Sequence, residues 1–327
     1  MYLPLPEVSF GSFAAEPATV TWSVRLRRPL MVTTRVTLDF CPMDRGPFVI
    51  AQLSDLHCGS PHFDPVLLEA AVNETLGLEP DLVVVGGDLT ADGYANEFGI
   101  AHRFLAPLLE SELKTIVIPG NHDSKNVGYL HFRDTFGPGD INDKGDRVLR
   151  VRREASHGHP SVTAQVVAVD SSKPDIAEGE IGRERYPWIR QELSADADLK
   201  VFVLHHHLVS VPGTGRERNI VWDAGDVLAL LANLRVDLVL SGHKHVPHVW
   251  LLDQVLIVNS GTVSSHRLRG YTRPSYNVIE VTPETIRVTF KYPGTGERLA
   301  AELDREQMTL HTSDELAGMF TRAPWRP

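Results

Sequence analysis

Residues 48–57 read Phe-Val-Ile-Ala-Gln-Leu-Ser-Asp-Leu-His. An apolar run stops abruptly at a serine, an aspartate and a histidine. Short runs without polar alternation suit strands buried on both faces. The same design recurs downstream. Leu82–Val85 runs into Gly86-Gly87-Asp88, and Thr115–Ile118 into Pro119-Gly120-Asn121-His122-Asp123. Val201–Leu204 runs into His205-His206-His207, and Leu238–Leu240 into Ser241-Gly242-His243-Lys244-His245. Val166–Val169 and Val255–Val258 are further runs of this kind.

Helical patterns lie between these runs. Asp64-Pro65 reads as an N-cap with proline in the first turn, opening a helix to about Leu78. Asp223 reads as the cap of a helix with Val227, Leu228, Leu230, Leu231 and Leu234 on its apolar face. Segments 97–112 and 185–195 also carry helical patterns. Strands alternating with helices define an α/β class. Segments 275–282 and 285–292 read as antiparallel strands around a Thr282-Pro283-Glu284 turn. Stretch 137–160 reads as a long surface loop, and 311–327 as a loosely held tail.

In α/β sheets ligands gather at the carboxyl ends of strands. The five strand ends should deliver carboxylates, an amide and imidazoles to one edge. Each motif alone has a plainer reading: a turn, a helix cap or a solvated loop. Their joint occurrence, each at a strand end, points to a metal site. Seven candidate ligands stand out: Asp55, His57, Asp88, Asn121, His205, His243 and His245. Imidazole, carboxylate and amide oxygen suit Mn, Fe, Zn, Co or Ni, with no need of thiolate. Seven donors exceed one tetrahedral ion and suit two divalent ions sharing a carboxylate. Two ions ~3.5–4 Å apart clamp an in-line displacement at phosphorus, with a bridging water as the source of hydroxide.

The bulk numbers fit. The chain has 327 residues, 42% hydrophobic and 23% charged, enough for a core without disulfide staples. Two cysteines, Cys41 and Cys58, suit a reducing, cytoplasmic setting. A formal net charge of -10 argues against broad binding to nucleic acid. No apolar run approaches the ~20 residues that span a bilayer. The leader 1–45 carries Arg25, Arg27 and Arg28 without the apolar stretch of an export signal. It alternates weakly over 19–40, where an extra strand is expected. Met31 and Met43 leave open whether this leader belongs to the native chain.

Taken together, the blocks Asp55-Leu-His57, Gly87-Asp88 with Gly93, Gly120-Asn121-His122-Asp123, His205-His206-His207 and Gly242-His243-Lys-His245 resemble those of the calcineurin-like metallophosphoesterases. Within that superfamily the sequence resembles the bacterial class III cyclic nucleotide phosphodiesterases, over residues 46–282. The resemblance implies a four-layer α-β-β-α sandwich with two mixed sheets. It implies that Asp55, His57 and His245 hold one metal, that Asn121, His205 and His243 hold the other, and that Asp88 bridges them. His122 is similar to the family's active-site histidine, which contacts substrate and protonates the leaving oxygen. The chain departs from the protein phosphatases at Ala91 and Asp92, where they carry Asp-Arg, and at Asp123, where they carry Glu. Leu208 and Val209 stand where a proline often follows the histidine run.

The expected layout is a leader (1–45), the metallophosphoesterase domain (46–282) and a C-terminal extension (283–327). Leader and extension are left for substrate or homodimer contacts. The expected activity is hydrolysis of a small-molecule phosphodiester, a cyclic nucleotide being one candidate. A phosphomonoesterase and a non-catalytic scaffold are the alternatives. Cys58 reads as a buried filler. His248 and His266 read as surface or supporting residues. Arg267, Arg269 and Arg273 read as phosphate contacts or a solvated turn, Asp170 as support for the site, and Trp188, Ile189 and Leu193 as a packed helix face.

Overall fold

A computed structural model describes residues 19–23, 33–37, 46–137, 145–155, 160–214, 220–269 and 272–313. The chain forms two compact units, 1–46 with 156–159, and 47–155 with 160–327. In the first unit, β1 (Thr19–Ser23) and β2 (Thr33–Thr37) pair antiparallel. The strand expected in 19–40 is therefore a two-stranded ribbon. The rest of the leader, including Cys41 and the three arginines, lies outside the described residues, as does 314–327 of the expected tail.

The second unit alternates strands and helices. Its first half holds β3 (Phe48–Leu53), α1 (Pro65–Leu78), β4 (Leu82–Val85), α2 (Ala95–Leu109), β5 (Thr115–Val117) and α3 (Gly128–Phe136). Then come β6 (Arg147–Arg153), β7 (Val162–Val169), α4 (Tyr186–Leu193), β8 (Leu199–Leu204), α5 (Ala224–Asn233), β9 (Leu238–Ser241), β10 (His248–Leu252) and β11 (Val255–Asn259). The chain closes with β12 (Tyr276–Val281), β13 (Thr285–Tyr292), β14 (Gly296–Asp304) and β15 (Thr309–Thr312).

Two mixed sheets result. One has seven strands, ordered β15-β14-β13-β12-β3-β4-β5, and the other six, ordered β10-β11-β9-β8-β7-β6. β3, β4 and β5 run parallel, while β12 joins β3 antiparallel. β7, β8, β9 and β11 run parallel between antiparallel edges. Period-two side-chain alternation gives every central strand two apolar faces. Ile50, Leu82 and Val84 meet Val201, Val203 and Leu240 between the sheets. Leu53, Val83 and Val85 face Leu68 and Val72 of α1 and Phe98 of α2. Phe202, Leu204 and Val239 face Ile189 of α4 and Val227 and Leu231 of α5. Each such side chain contributes about 1.5–3 kcal/mol when fully buried. The layers are thus helix, sheet, sheet, helix.

Behind the site, side-chain amides join the sheets. Gln52 Nε2 donates to Ser241 O at 2.9 Å, and Asn277 Nδ2 donates to Gln52 Oε1 at 2.9 Å. These bonds satisfy buried polar groups and tie β3 of one sheet to β9 of the other.

Local signals worked where chemistry was explicit. Asp64 Oδ1 caps α1, accepting from Val66 N at 2.9 Å. Three expectations need correction. Stretch 137–160 contains β6, an edge strand paired with β7 whose arginines disguised its apolar content; 138–144 and 156–159 lie outside the described residues. Asp223 does not cap α5 with its side chain. Its carboxylate accepts from Ile181 N at 3.0 Å, Gly182 N at 2.8 Å and Tyr186 Oη at 2.7 Å. Thr309–Thr312, assigned in part to the tail, is paired with β14. Among the described residues no helix is long and apolar enough to cross a membrane.

Candidate metal centre

The polar strand ends converge, but from two sheets rather than one edge. β3, β4 and β5 bring Asp55, His57, Asp88 and Asn121. β8 and β9 bring His205, His243 and His245. Facing sheets can surround a site that one sheet edge could only border.

Five of the seven candidate ligands have left-handed backbone: Asp55 (φ 55°), His57 (53°), Asp88 (53°), His243 (81°) and His245 (60°). Such conformations cost of order 1 kcal/mol or more and cluster at functional sites. Backbone bonds hold the turns in place. Asp55 N donates to Gly87 O and His57 N to Asp88 O, both at 2.9 Å.

Asp55 is fully buried. Its Oδ2 accepts from Ser54 Oγ at 2.6 Å and His243 N at 3.0 Å. Its Oδ1 takes no hydrogen bond and lies 3.4 Å from His245 Nε2 and 3.9 Å from His57 Nε2. The two Nε2 atoms stand 2.8 Å apart. Asp88 Oδ1 accepts from His122 N at 2.8 Å. Asp88 Oδ2 lies 3.3 Å from His205 Nε2 and 3.8 Å from His57 Nε2, so one oxygen faces both sets of histidines. Asn121 Oδ1 is buried without a hydrogen-bond partner.

The histidines are oriented from behind. His205 Nδ1 donates to Gly86 O at 2.8 Å, and His245 Nδ1 to Arg267 O at 2.6 Å. In each ring Nε2 is then the nitrogen turned toward the site, the atom through which a histidine held this way binds a metal. Burial presses the His57 imidazole down to about 3 and His243 well below its usual value, so both are neutral. His205 moves to about 9: burial opposes the proton, but the Asp88 carboxylate beside it prevails. Burial would raise the two carboxylates, yet His205 holds Asp88 well below the usual range and His245 lowers Asp55. Carboxylates stay charged in a dry pocket, and the site favours positive charge.

The donor set fits metal ions. Ligand atoms ~2.0–2.1 Å from one ion are about 2.9 Å apart at right angles. The observed spacings, with two buried oxygens left bare, suit coordination. Asp55, His57 and His245 form one such cluster, and Asp88, His205 and His243 another. His57, Asp88 and His122 form a third that shares members with both.

His205, not His206, joins this arrangement. His206 Nδ1 contacts Ser171 Oγ at 2.8 Å, and its ring packs against that of His243. His207 Nε2 donates to Gly242 O at 2.6 Å and braces the His243 turn. Asp123 ties two site loops together, accepting from Leu89 N at 3.0 Å, Gly120 N at 2.8 Å and Thr90 N at 2.9 Å. Burial, then the charge of Asp88, lifts its carboxyl to about 6. Asp170 Oδ1 accepts from Ser172 N at 2.8 Å, and Ser172 Oγ meets Ser124 Oγ at 2.5 Å, which links Asp170 to the His122 turn. Cys58 is buried in the helix-side core. His248 packs its ring on Trp250, and His266 pairs with Asp64 at 2.9 Å. Arg273 lies over the Tyr292 ring at 3.6 Å, which occupies its guanidinium.

Sequence reading missed the loop after β11. Thr262 Oγ1 donates to Asp55 O at 2.6 Å, Ser264 Oγ to Leu56 O at 3.0 Å and Val263 N to Ser54 O at 3.1 Å. The small polar run Ser260-Gly261-Thr262-Val263-Ser264-Ser265 was its only signal.

Close packing makes Gly242 a test of the site. A Cβ there would press on Ser54 Oγ and come within 2.5 Å of Asp55 Oδ2. Gly242→Ala should cost about 1–3 kcal/mol, lowering Tm by roughly 3–10 °C, and should weaken metal uptake. Calorimetry with and without added metal measures both. An unchanged Tm and metal content would refute the packing.

Comparison with known proteins agrees with this geometry. A sequence profile described as calcineurin-like phosphoesterase matches residues 48–247. A "Probable cyclic nucleotide phosphodiesterase" of Synechococcus sp. is 27% identical over 171 residues, 51% of this chain and 58% of that protein. The match thus spans little more than half of that relative's length. A "Probable glycerophosphodiester phosphodiesterase GpdQ" of Arcobacter nitrofigilis is 22% identical over 286 residues, 81% of this chain and 92% of that one. The crystal structure of a dimetal phosphatase from Danio rerio shares the fold, with a TM-score of 0.58, 12% identity, and coverage of 77% of this chain and 98% of that one. With well over half its length matched by the profile, the chain belongs to the calcineurin-like phosphoesterase family.

Proposed function

We propose that this protein is a metal-dependent hydrolase of small-molecule phosphodiesters. Asp55, His57 and His245 would hold one divalent ion, and Asn121, His205 and His243 a second. The single observation that carries this reading is Asp88 Oδ2, one oxygen 3.3 Å and 3.8 Å from histidines of the two sets. Two bound ions would supply Lewis-acid stabilisation of phosphate charge and lower the pKa of water. Mn, Fe and Zn all suit this donor set.

The chain's own residues do the rest. Burial keeps His57 and His243 neutral, so their lone pairs stay available. Asp55 and Asp88 keep their charge at neutral pH. Asn121 offers a neutral oxygen. His122 stands beside Asp88 without belonging to either set of three. It is the group that would contact the substrate phosphate and protonate the departing oxygen. A cyclic nucleotide is one member of the substrate class. The scarcity of cysteine supports a reducing, cytoplasmic setting.

Diesters are favoured over monoesters by the turn at Ala91 and Asp92. A phosphomonoester dianion gains more from a guanidinium clamp than a diester does. Here that turn offers a carboxylate, ion-paired to Lys125 at 2.9 Å. One charge-assisted hydrogen bond is worth ~1.5–3 kcal/mol. Bis(4-nitrophenyl) phosphate should therefore be cleaved with at least about tenfold higher kcat/KM than 4-nitrophenyl phosphate, in the same metal. A monoester preference that disappears in Arg267→Ala and Arg269→Ala would overturn the diester assignment.

A further inference from the structure

The turn carrying His122 holds a cation that the hydrolysis scheme leaves unused. Lys125 Nζ lies 2.9 Å from Asp92 Oδ1, 3.0 Å from Ala91 O and 2.9 Å from His122 Nδ1. His122 Nδ1 also meets Ala91 O. Every contact of the imidazole with this group is made through Nδ1, so Nε2 is the nitrogen left for substrate. We propose that Lys125, anchored by Asp92, is a positioning residue that fixes the His122 ring for proton transfer to the leaving oxygen. The proposal rests on the hydrolase reading above and deepens it.

Two turns are locked together around this ammonium. Asn126 Nδ2 donates to Asp92 O at 2.8 Å, and Gly128 N to Lys125 O at 2.8 Å. Asn126 N donates to Asp175 Oδ1 at 2.7 Å. A Cβ on Gly93 would press on Lys125 O, and one on Gly128 on Gly93 Cα. The backbones at both ends of the Lys125–Asp92 pair are thus held, and the side chain bridges a set distance.

The plain alternative is a surface ion pair. The Lys125 and Asp92 side chains are 33% and 55% exposed. Pairs of that exposure add little to stability. What distinguishes this one is the third neighbour, an imidazole that a freed lysine would no longer hold. Loss of Lys125 should leave folding alone and loosen the ring. Small losses of alignment carry large losses of rate.

The step balances as follows. Water oxygen bonds to phosphorus, and the bond from phosphorus to the leaving oxygen breaks with its electron pair on that oxygen. His122 Nε2 gives that oxygen a proton and recovers one from the water consumed. A diester and one water become a monoester and an alcohol.

Leaving groups separate this role from a structural one. A 4-nitrophenolate departs without help, whereas phenolate needs the proton more. Wild type, Lys125→Met, Lys125→Arg, Asp92→Asn, His122→Ala and the Lys125→Met/His122→Ala double variant would be assayed on the 4-nitrophenyl and phenyl esters of methyl phosphate, with metal content and Tm. Lys125→Met should lower kcat about tenfold or more on the phenyl ester and distinctly less on the nitrophenyl ester. KM, metal content and Tm should hold. Arginine should restore most of the rate, Asp92→Asn should show a milder copy of the defect, and the double variant should match His122→Ala alone. Equal losses on both esters, additive losses in the double variant, or loss of metal would overturn the role of Lys125 while leaving the hydrolase reading in place. A wild type inactive on both esters overturns the hydrolase reading and this inference with it.

Discussion

Asp88→Asn should lower kcat on an aryl phosphodiester by about 10³-fold or more. Oδ1 accepts the His122 amide at 2.8 Å, while Oδ2 faces His205 and His57. An asparagine has one oxygen and one NH2 to fill both places. With the oxygen on His122, two N–H donors point where a cation should sit. With the amide reversed, His122 N loses its acceptor. Either orientation removes the carboxylate charge that faces both sets of histidines. Lewis-acid stabilisation by the paired ions is worth several kcal/mol, and ~4 kcal/mol is about 10³-fold in rate. Elemental analysis of the purified variant should also find fewer ions than the two per chain expected of wild type. Normal turnover by the variant would sink the shared-carboxylate assignment.

His122→Ala tests the other half of the site. Its turnover should fall by ~10²–10⁴-fold, the usual worth of a positioned proton donor. Its metal content should stay at the wild-type level. Alanine keeps the backbone amide that binds Asp88 Oδ1, so the turn should survive. The result is not foregone, because His122 also lies within coordinating range of His57 and Asp88. A variant that loses an ion would make His122 a ligand and force the cage to be redrawn.

How much of this was legible follows from where each signal resides. Apolar runs such as Leu82–Val85 are local, so their strands could be located from sequence. Asp64-Pro65 carries its own capping chemistry, and α1 begins there. β6 was missed because its arginines alternate with few apolar residues. The division of the site between two sheets depends on pairings such as β12 with β3, far apart in sequence. Residue types at strand ends picked out histidines and carboxylates that the fold brings together. Their left-handed backbones, and the contact of Lys125 with His122, arise only when turns meet in space. Asp223 shows the limit: its composition suggested a cap, and tertiary partners claimed the carboxylate instead.

The division of the ligands between two sheets also has a consequence in time. Asp55 and His245 are separated by 190 residues. At ~5–20 residues per second, a ribosome needs roughly 10–40 s to deliver the second after the first. During that interval the nascent chain presents Asp55, His57, Asp88 and Asn121 without their histidine counterparts. β3 has β4 on one side and, until β12 is made, an open edge on the other. On the ligand sets proposed above, neither ion would have all its ligands until both sheets have been made. An ion captured early would meet an oxygen-rich half-site. Three of the four imidazoles in those sets, His205, His243 and His245, are made last, and imidazole suits Mn, Fe or Zn where carboxylate and carbonyl oxygen suit Mg, so the order of translation would delay the choice of metal until they are present.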